Sequence, residues 1–312
     1  MDKLHISSSP HICSPRTTQG IMLDVAIALM PAVIAGCIIF GWRALFVVMA
    51  SVIASVLSEY LFCIITKREN TIFNISAVVT GLILGLNLPA YAPIWQVVIG
   101  AAFAIVVVKC LFGGIGQNFA NPAATARVFL LVSFSGTLAG GAIPKLSNAP
   151  DLVAGATPLE VMNAGGELPS ILDMLLGLRG GAIGETCAIA IIIGFIYLVV
   201  RKVIYFEVPL VYVLTVFVLT LIVDNSFSVA LYQVLSGGLL FAAVFMITDY
   251  SSTPTVRVGK SVFAFGCGLI TFLIRKYGSY PEGVSFAILL MNILTPYIEK
   301  WTVKRPFGGE IK

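Results

Sequence analysis

Long apolar runs separated by short polar breaks set the pattern of this chain. A helix that crosses the hydrocarbon core needs about 20 mostly apolar residues. Residues 21–40, 44–66, 92–112, 183–200, 204–223 and 226–247 meet that measure. Four further segments, 75–90, 122–136, 261–276 and 281–299, are shorter or are interrupted by polar residues, Gly or Pro. Together they predict an all-α integral membrane protein of about ten transmembrane helices. The longest polar interruption, 137–182, falls between the fifth and sixth. The expected organisation is an N-terminal segment (1–20), a first five-helix membrane repeat (21–136), one long loop (137–182), a second five-helix repeat (183–299) and a short tail (300–312).

Composition narrows the class. Apolar residues make up 58% of the 312 and charged ones 11%, with a mean hydropathy of +1.00. Soluble domains carry about 25% charged residues, so no soluble core could absorb this chain. The first twenty residues hold no apolar run beside a small-residue cleavage site, so the first span is expected to stay in the mature protein. The six cysteines are scattered with no C-x-x-C pair, which argues against zinc or a self-contained iron–sulfur cluster. Neither His5 nor His11 belongs to a plausible set of ligands in the sequence, and no metal is assigned. A net charge of +4 does not call for nucleic acid.

The basic residues orient the chain. With the N-terminus inside, fourteen Lys and Arg, including Lys109 and Arg127, fall on the cytoplasmic side and five on the outer side. That bias fits the positive-inside rule. It places both termini in the cytoplasm and the loop 137–182 outside. Two segments also look alike: "GLILGLNLPAYAP" (81–93) and "GLLFAAVFMITDYSSTP" (238–254) each precede a span, a loop and another helix. Five helices per half would give inverted repeats with broken short helices, the arrangement that many transporters use to build a midplane site.

Within the long loop, "DLVAGATPLEVM" (151–162) has a Thr157-Pro158-x-Glu160 start, which reads as a capping box. The same geometry would also offer an uncrowded Thr157 hydroxyl for esterification beside backbone N–H groups. A helix start alone does not separate the two. The stretch "GGIGQNFANP" (113–122) combines glycines with Asn118 and Asn121 and reads equally as a turn or as a ligand-binding loop; no Gly-Lys-Ser/Thr follows, so it is no P-loop. Asp24, Glu59 and Asp249 lie in or at the ends of spans, where an ionised group is costly unless paired or hydrated. They are candidates for an ion or proton path, or helix-end acids satisfied locally. Glu185, Glu207 and Asp224, at span ends, need no special role. Gly81 and Gly85 form a G-x-x-x-G expected to mark close helix packing.

Taken together, "SSPHI…TT…IMLDVAIALMPA", "FGGIGQNFANPA", "GATPL" and "FMITDYSSTP" resemble the RnfD/NqrB family, in order from about residue 7 to 300. The resemblance implies a membrane electron-transfer subunit of an ion-translocating ferredoxin:NAD oxidoreductase, the Rnf complex, coupled to Na⁺ or H⁺ in the bacterial cytoplasmic (inner) membrane. It also implies FMN carried on Thr157 through a phosphoester placed by a flavin transferase. Asp151, Gly155, Ala156, Thr157 and Leu159 match the family pattern, whereas Ala154 stands where the family often has Ser. A second, non-covalent flavin, riboflavin, is implied within the bundle near Asn118 and Asn121. The implied partners are an FMN-carrying outer-face subunit, iron–sulfur subunits and the lipid bilayer, and the implied fold is two inverted halves similar to urea-transporter-like bundles. An NqrB-like subunit of a sodium-pumping NADH:quinone reductase fits less well, because that subunit has a longer extension before its first span. From the residues alone, a secondary transporter or channel, or a scaffold for redox partners, stays open.

Overall fold

The computed structural model describes residues 17–68, 71–138, 140–144, 154–166, 168–278 and 282–303. Helix α1 (Thr18–Phe40) is capped by Thr17, whose Oγ1 accepts from the Gly20 N–H at 3.2 Å. It ends at Gly41, whose φ of 76° only glycine adopts freely. Helix α2 (Trp42–Thr66) follows at once and returns across the bundle. Along α1, Leu23, Ile27, Met30, Ile34 and Ile38 form a helical stripe that stays exposed, opposite buried Ala28, Leu29, Ala32 and Val33. In water such a stripe would be an aggregation face. In lipid it is the outer wall of a membrane protein.

Helix α3 (Ser76–Leu86) lies against α2. The G-x-x-x-G packs as expected: a Cβ on Gly81 would stand 2.7 Å from Val52 Cα, and one on Gly85 3.0 Å from Val48 Cα. The close approach lets Ser51 Oγ donate to the Gly81 carbonyl at 2.8 Å. After an extended turn, α4 (Ile94–Ala102) runs into a π-helical stretch, Phe103–Cys110. Helix α5 (Pro122–Ser133) and the single turn α6 (Ser135–Leu138) close the first group.

The connecting segment holds two short helices, α7 (Pro158–Asn163) and α8 (Ile171–Leu176). It is pinned by a two-residue antiparallel pairing, Gly141 with Gly155 and Ala142 with Ala154. Ala142 also exchanges backbone hydrogen bonds with Gly181, at 3.0 and 3.3 Å. The second group comprises α9 (Ala188–Val200), α10 (Glu207–Asp224), α11 (Phe227–Leu235), α12 (Leu239–Phe245), α13 (Arg257–Tyr277) and α14 (Val284–Thr302).

The continuous span expected over 226–247 is in fact broken: α11 and α12 meet at 56°. Gly237 takes a φ of +61°, Arg275 Nη2 donates to the Ser236 carbonyl at 3.1 Å, and the Gly238 N–H donates to Glu282 Oε1 at 2.5 Å. Side chains thus satisfy backbone groups that the break would leave bare. Among the described residues, four helices (α1, α2, α10 and α13) are long and apolar enough to cross a membrane, or five with the bent pair counted as one. The ends of the two broken regions meet: Asn87, which caps α3, donates its Nδ2 to Met246 Sδ at 3.4 Å, and Met246 caps α12.

Candidate functional site

Thr157 is half-buried at the start of α7. Its Oγ1 accepts from the Glu160 N–H at 3.3 Å, and its own N–H donates to Glu160 Oε2 at 2.7 Å. The capping box read from the sequence is therefore formed. Pro158 and Leu159 behind it are buried and anchor the short helix. Gly155 is held in the two-residue pairing, where a Cβ would meet Ile143 Cγ1 at 2.6 Å. Ala156 is exposed beside it. Asp151 lies outside the described residues.

A cavity of about 90 Å³ opens between Thr157, Glu160, Arg127, Arg179, Glu185 and Glu282. Arg179 donates to its own loop from Nη2 to the Glu185 carbonyl at 2.8 Å and from Nε to the Thr186 carbonyl at 3.4 Å. Burial pulls its pKa down to about 10, so it remains a cation at neutral pH. Arg127 differs. It is only 5% exposed; its Nη2 stands 4.0 Å from Glu282 Oε2, and its Nη1 has no partner. An unpaired guanidinium hydrogen in a dry site is costly, and this one lines the cavity that Thr157 also lines. An anionic oxygen there fits the residues present.

The charge pattern along the sequence groups Arg127 with the cytoplasmic residues, and the structure corrects this. Helix α5 is only 12 residues long and begins buried at Asn121, so Arg127 reaches the end of the bundle where Thr157 lies. Glu185 is buried and lies against the Glu282 carboxyl. Two carboxyl groups in contact need a proton between them. The other two span-end acids make ordinary ion pairs, Glu207 with Arg257 and Asp224 with Lys276.

A larger cavity, about 310 Å³, lies apart from the Thr157 cavity, between α1, α3, α9, α12 and the loop 111–121. It falls in the size range of small-molecule sites, about 300–1,000 Å³. Its wall is mainly apolar, with Asn118, Thr80, Lys109 and Asp249 as polar points. Asn118 donates its Nδ2 to Ser251 Oγ at 3.4 Å, while its buried Oδ1 is without a partner. Asn121 is engaged structurally. Its Oδ1 caps α5 through the Ala123 and Ala124 N–H groups at 3.1 and 3.2 Å, and its Nδ2 donates to the Met246 carbonyl at 3.2 Å. Of the two asparagines read from the sequence, Asn118 has the free acceptor.

The three acids separate. Asp24 accepts from Tyr197 Oη at 3.0 Å and pairs with Arg201 Nε at 3.2 Å, clamping α1 to the end of α9. Asp249 accepts from the Ser251 and Ser252 hydroxyls at 2.9 and 3.0 Å and orders the turn after α12. Glu59 is the deeply buried one. Its Oε1 takes Lys109 Nζ at 2.8 Å and Thr71 Oγ1 at 2.6 Å, while Oε2 has no partner; Lys109 also donates to Ser76 Oγ at 2.7 Å. Lys109 belongs to the π-helical stretch, a deformation frequent at functional sites.

Comparisons with known proteins agree with the motifs. The model of the NQR2, RnfD, RnfE family matches residues 5–308. A subunit of the Na⁺-translocating ferredoxin:NAD⁺ oxidoreductase complex of Acetobacterium woodii is 45% identical, over 98% of this chain and 95% of that one. A subunit of the proton-translocating ferredoxin:NAD⁺ oxidoreductase complex of Clostridium ljungdahlii is 38% identical, over 97% and 96%. A subunit of the ion-translocating oxidoreductase complex of an Escherichia coli strain is 32% identical, over 97% and 98%. With a family match over nearly its whole length and relatives covered end to end, the chain belongs to the NQR2, RnfD, RnfE family.

Proposed function

We propose that this chain is the membrane electron-transfer subunit of an ion-translocating ferredoxin:NAD oxidoreductase, with FMN esterified to Thr157. The observation that carries the site is the Thr157 hydroxyl on a cavity that also holds the unpaired Arg127 Nη1. In forming the ester, Thr157 Oγ1 bonds to the FMN phosphorus of a flavin dinucleotide as the pyrophosphate bond breaks. The nucleoside monophosphate departs with the bonding electrons, and the hydroxyl proton is released. The bound flavin supplies the redox chemistry. The chain fixes its place: Glu160 holds the backbone of Thr157, and Gly155 lets the preceding strand pack against Ile143.

Riboflavin would be held in the 310 Å³ cavity in this reading, where Asn118 offers its unpartnered Oδ1 as an acceptor. The meeting of Asn87 and Met246, each at the end of a broken helical region, supports two inverted five-helix halves. In the proposed topology the termini are cytoplasmic and residues 137–182 face outward in the bacterial inner membrane. An FMN-carrying outer subunit and iron–sulfur subunits complete the electron path. The ion moved is Na⁺ or H⁺, since the relatives include one named for each.

The test is a denaturing gel viewed under ultraviolet light, with mass mapping of the peptides across 146–179, on protein from cells that have a flavin transferase. A fluorescent band with the mass of FMN less water on Thr157 supports the reading. A dark band overturns it and leaves Thr157 as a helix cap.

A further inference from the structure

We infer that Arg127 is the counter-charge of the phosphodiester formed at Thr157, and that the flavin ring lies outside the cavity the two residues share. This rests on the flavin ester proposed for Thr157. The cavity beneath Thr157 holds about 90 Å³, well below the roughly 300 Å³ at which small-molecule sites begin. A phosphodiester fits such a space and a tricyclic ring does not. Once esterified, the phosphate keeps one negative charge and two free oxygens, and it cannot move more than a bond's length from Oγ1.

Two guanidinium groups line the cavity. Arg179 commits Nε and Nη2 to the carbonyls of Thr186 and Glu185, which fixes its guanidinium against its own loop. Arg127 is only 5% exposed, its Nη1 is unpartnered, and the carboxylate facing it, Glu282, is 4.0 Å away. That carboxylate is otherwise committed: Oε1 accepts from the Gly238 N–H at 2.5 Å and the group hydrogen-bonds Glu185. Arg127 is therefore a buried cation short of an acceptor, on the wall the phosphate would reach. A guanidinium pairs phosphate through parallel N–H donors. Arg127 would hold the phosphate inward and leave the ring on the outer side, open to an electron donor.

The experiment is a two-by-two comparison on the full-length chain in detergent: native and Arg127→Gln, each made with and without a co-expressed flavin transferase. Mass spectrometry reads flavin occupancy, and tryptophan fluorescence reads the apparent Tm. Modification is expected to raise the native Tm by about 3–6 °C, as a buried charge gains a charge-assisted partner. In Arg127→Gln the modified and unmodified forms should melt together. An equal rise in both proteins overturns the assignment to Arg127. Native protein with no flavin at all overturns the ester itself, a separate and distinguishable failure. If the glutamine variant does not accumulate, Arg127→Lys replaces it. A single ammonium without the planar fork should keep less than half of the native shift, and a full shift would overturn the proposal.

Discussion

Removing Lys109 should be among the most damaging single changes in this chain. Lys109 and Glu59 are 2% and 1% exposed, with their charged atoms 2.8 Å apart. Lys109→Met keeps most of the side-chain volume and deletes the ammonium. Glu59 would retain one hydroxyl donor, Thr71, on Oε1, and nothing on Oε2. Breaking a buried pair from one side costs about 3–5 kcal/mol, because the surviving charge stays uncompensated. For a chain of this length, at about 2 °C per kcal/mol, the apparent Tm should fall by roughly 6–10 °C. The double variant Lys109→Met with Glu59→Gln removes both charges and should regain most of that loss, since the pair itself contributes little net stability. Apparent Tm in a fixed detergent, read for the native chain, both single variants and the double, gives the coupling between the two sites. A double variant as unstable as Lys109→Met, or a single variant that melts like the native chain, would refute the reasoning.

The ester site predicts an asymmetry between two conservative changes. Thr157→Ser should keep both the cap and the gel fluorescence, whereas Thr157→Ala should lose the fluorescence and about 1 kcal/mol of local stability while still assembling in the membrane; covalent flavin persisting in the alanine variant would point to another acceptor. In the α2–α3 contact, Gly81→Val would drive new atoms into the Val52 backbone, 2.7 Å from the first added carbon, and should cost about 1–3 kcal/mol or more. Gly136→Ala, with nothing within 4 Å of its added carbon, is the control, expected within about 0.5 kcal/mol of native or slightly stabilised. Size-exclusion profiles and Tm of the two variants check this, and equal behaviour would dismiss the packing argument.

Local features of this chain were legible in its sequence, and pairings across long separations were not. The Thr157–Glu160 box spans three residues and forms as read, because each partner's position is fixed by the helix start. The Gly81/Gly85 contact was legible because two glycines one turn apart make a groove that a neighbouring helix fills. The break at Ser236–Gly238 was hidden because a Ser-Gly-Gly between apolar runs satisfies a count of apolar residues; what opens it there is Arg275 and Glu282, about forty residues downstream. Charge pattern alone does not place Arg127, because α5 has 12 residues and at 1.5 Å per residue covers only about 18 Å, short of a full crossing. Glu59 stands out in the sequence as an acid in an apolar span, but its partner Lys109 lies 50 residues away. No periodicity links the two.

The Asn121 side chain has a consequence for how the protein is made. Its amide nitrogen donates to the carbonyl of Met246, a residue synthesised 125 positions later. A chain still growing on the ribosome therefore folds α5 with that donor bare, whereas Asn87 already donates to the Ile83 carbonyl within its own helix. Polar groups left in hydrocarbon are penalised, so the first helices gain part of their stability only when the segment around Met246 arrives. Membrane insertion then ends in a late closing step, and a chain truncated in the connecting segment should be cleared by quality-control proteases rather than persist as a stable half.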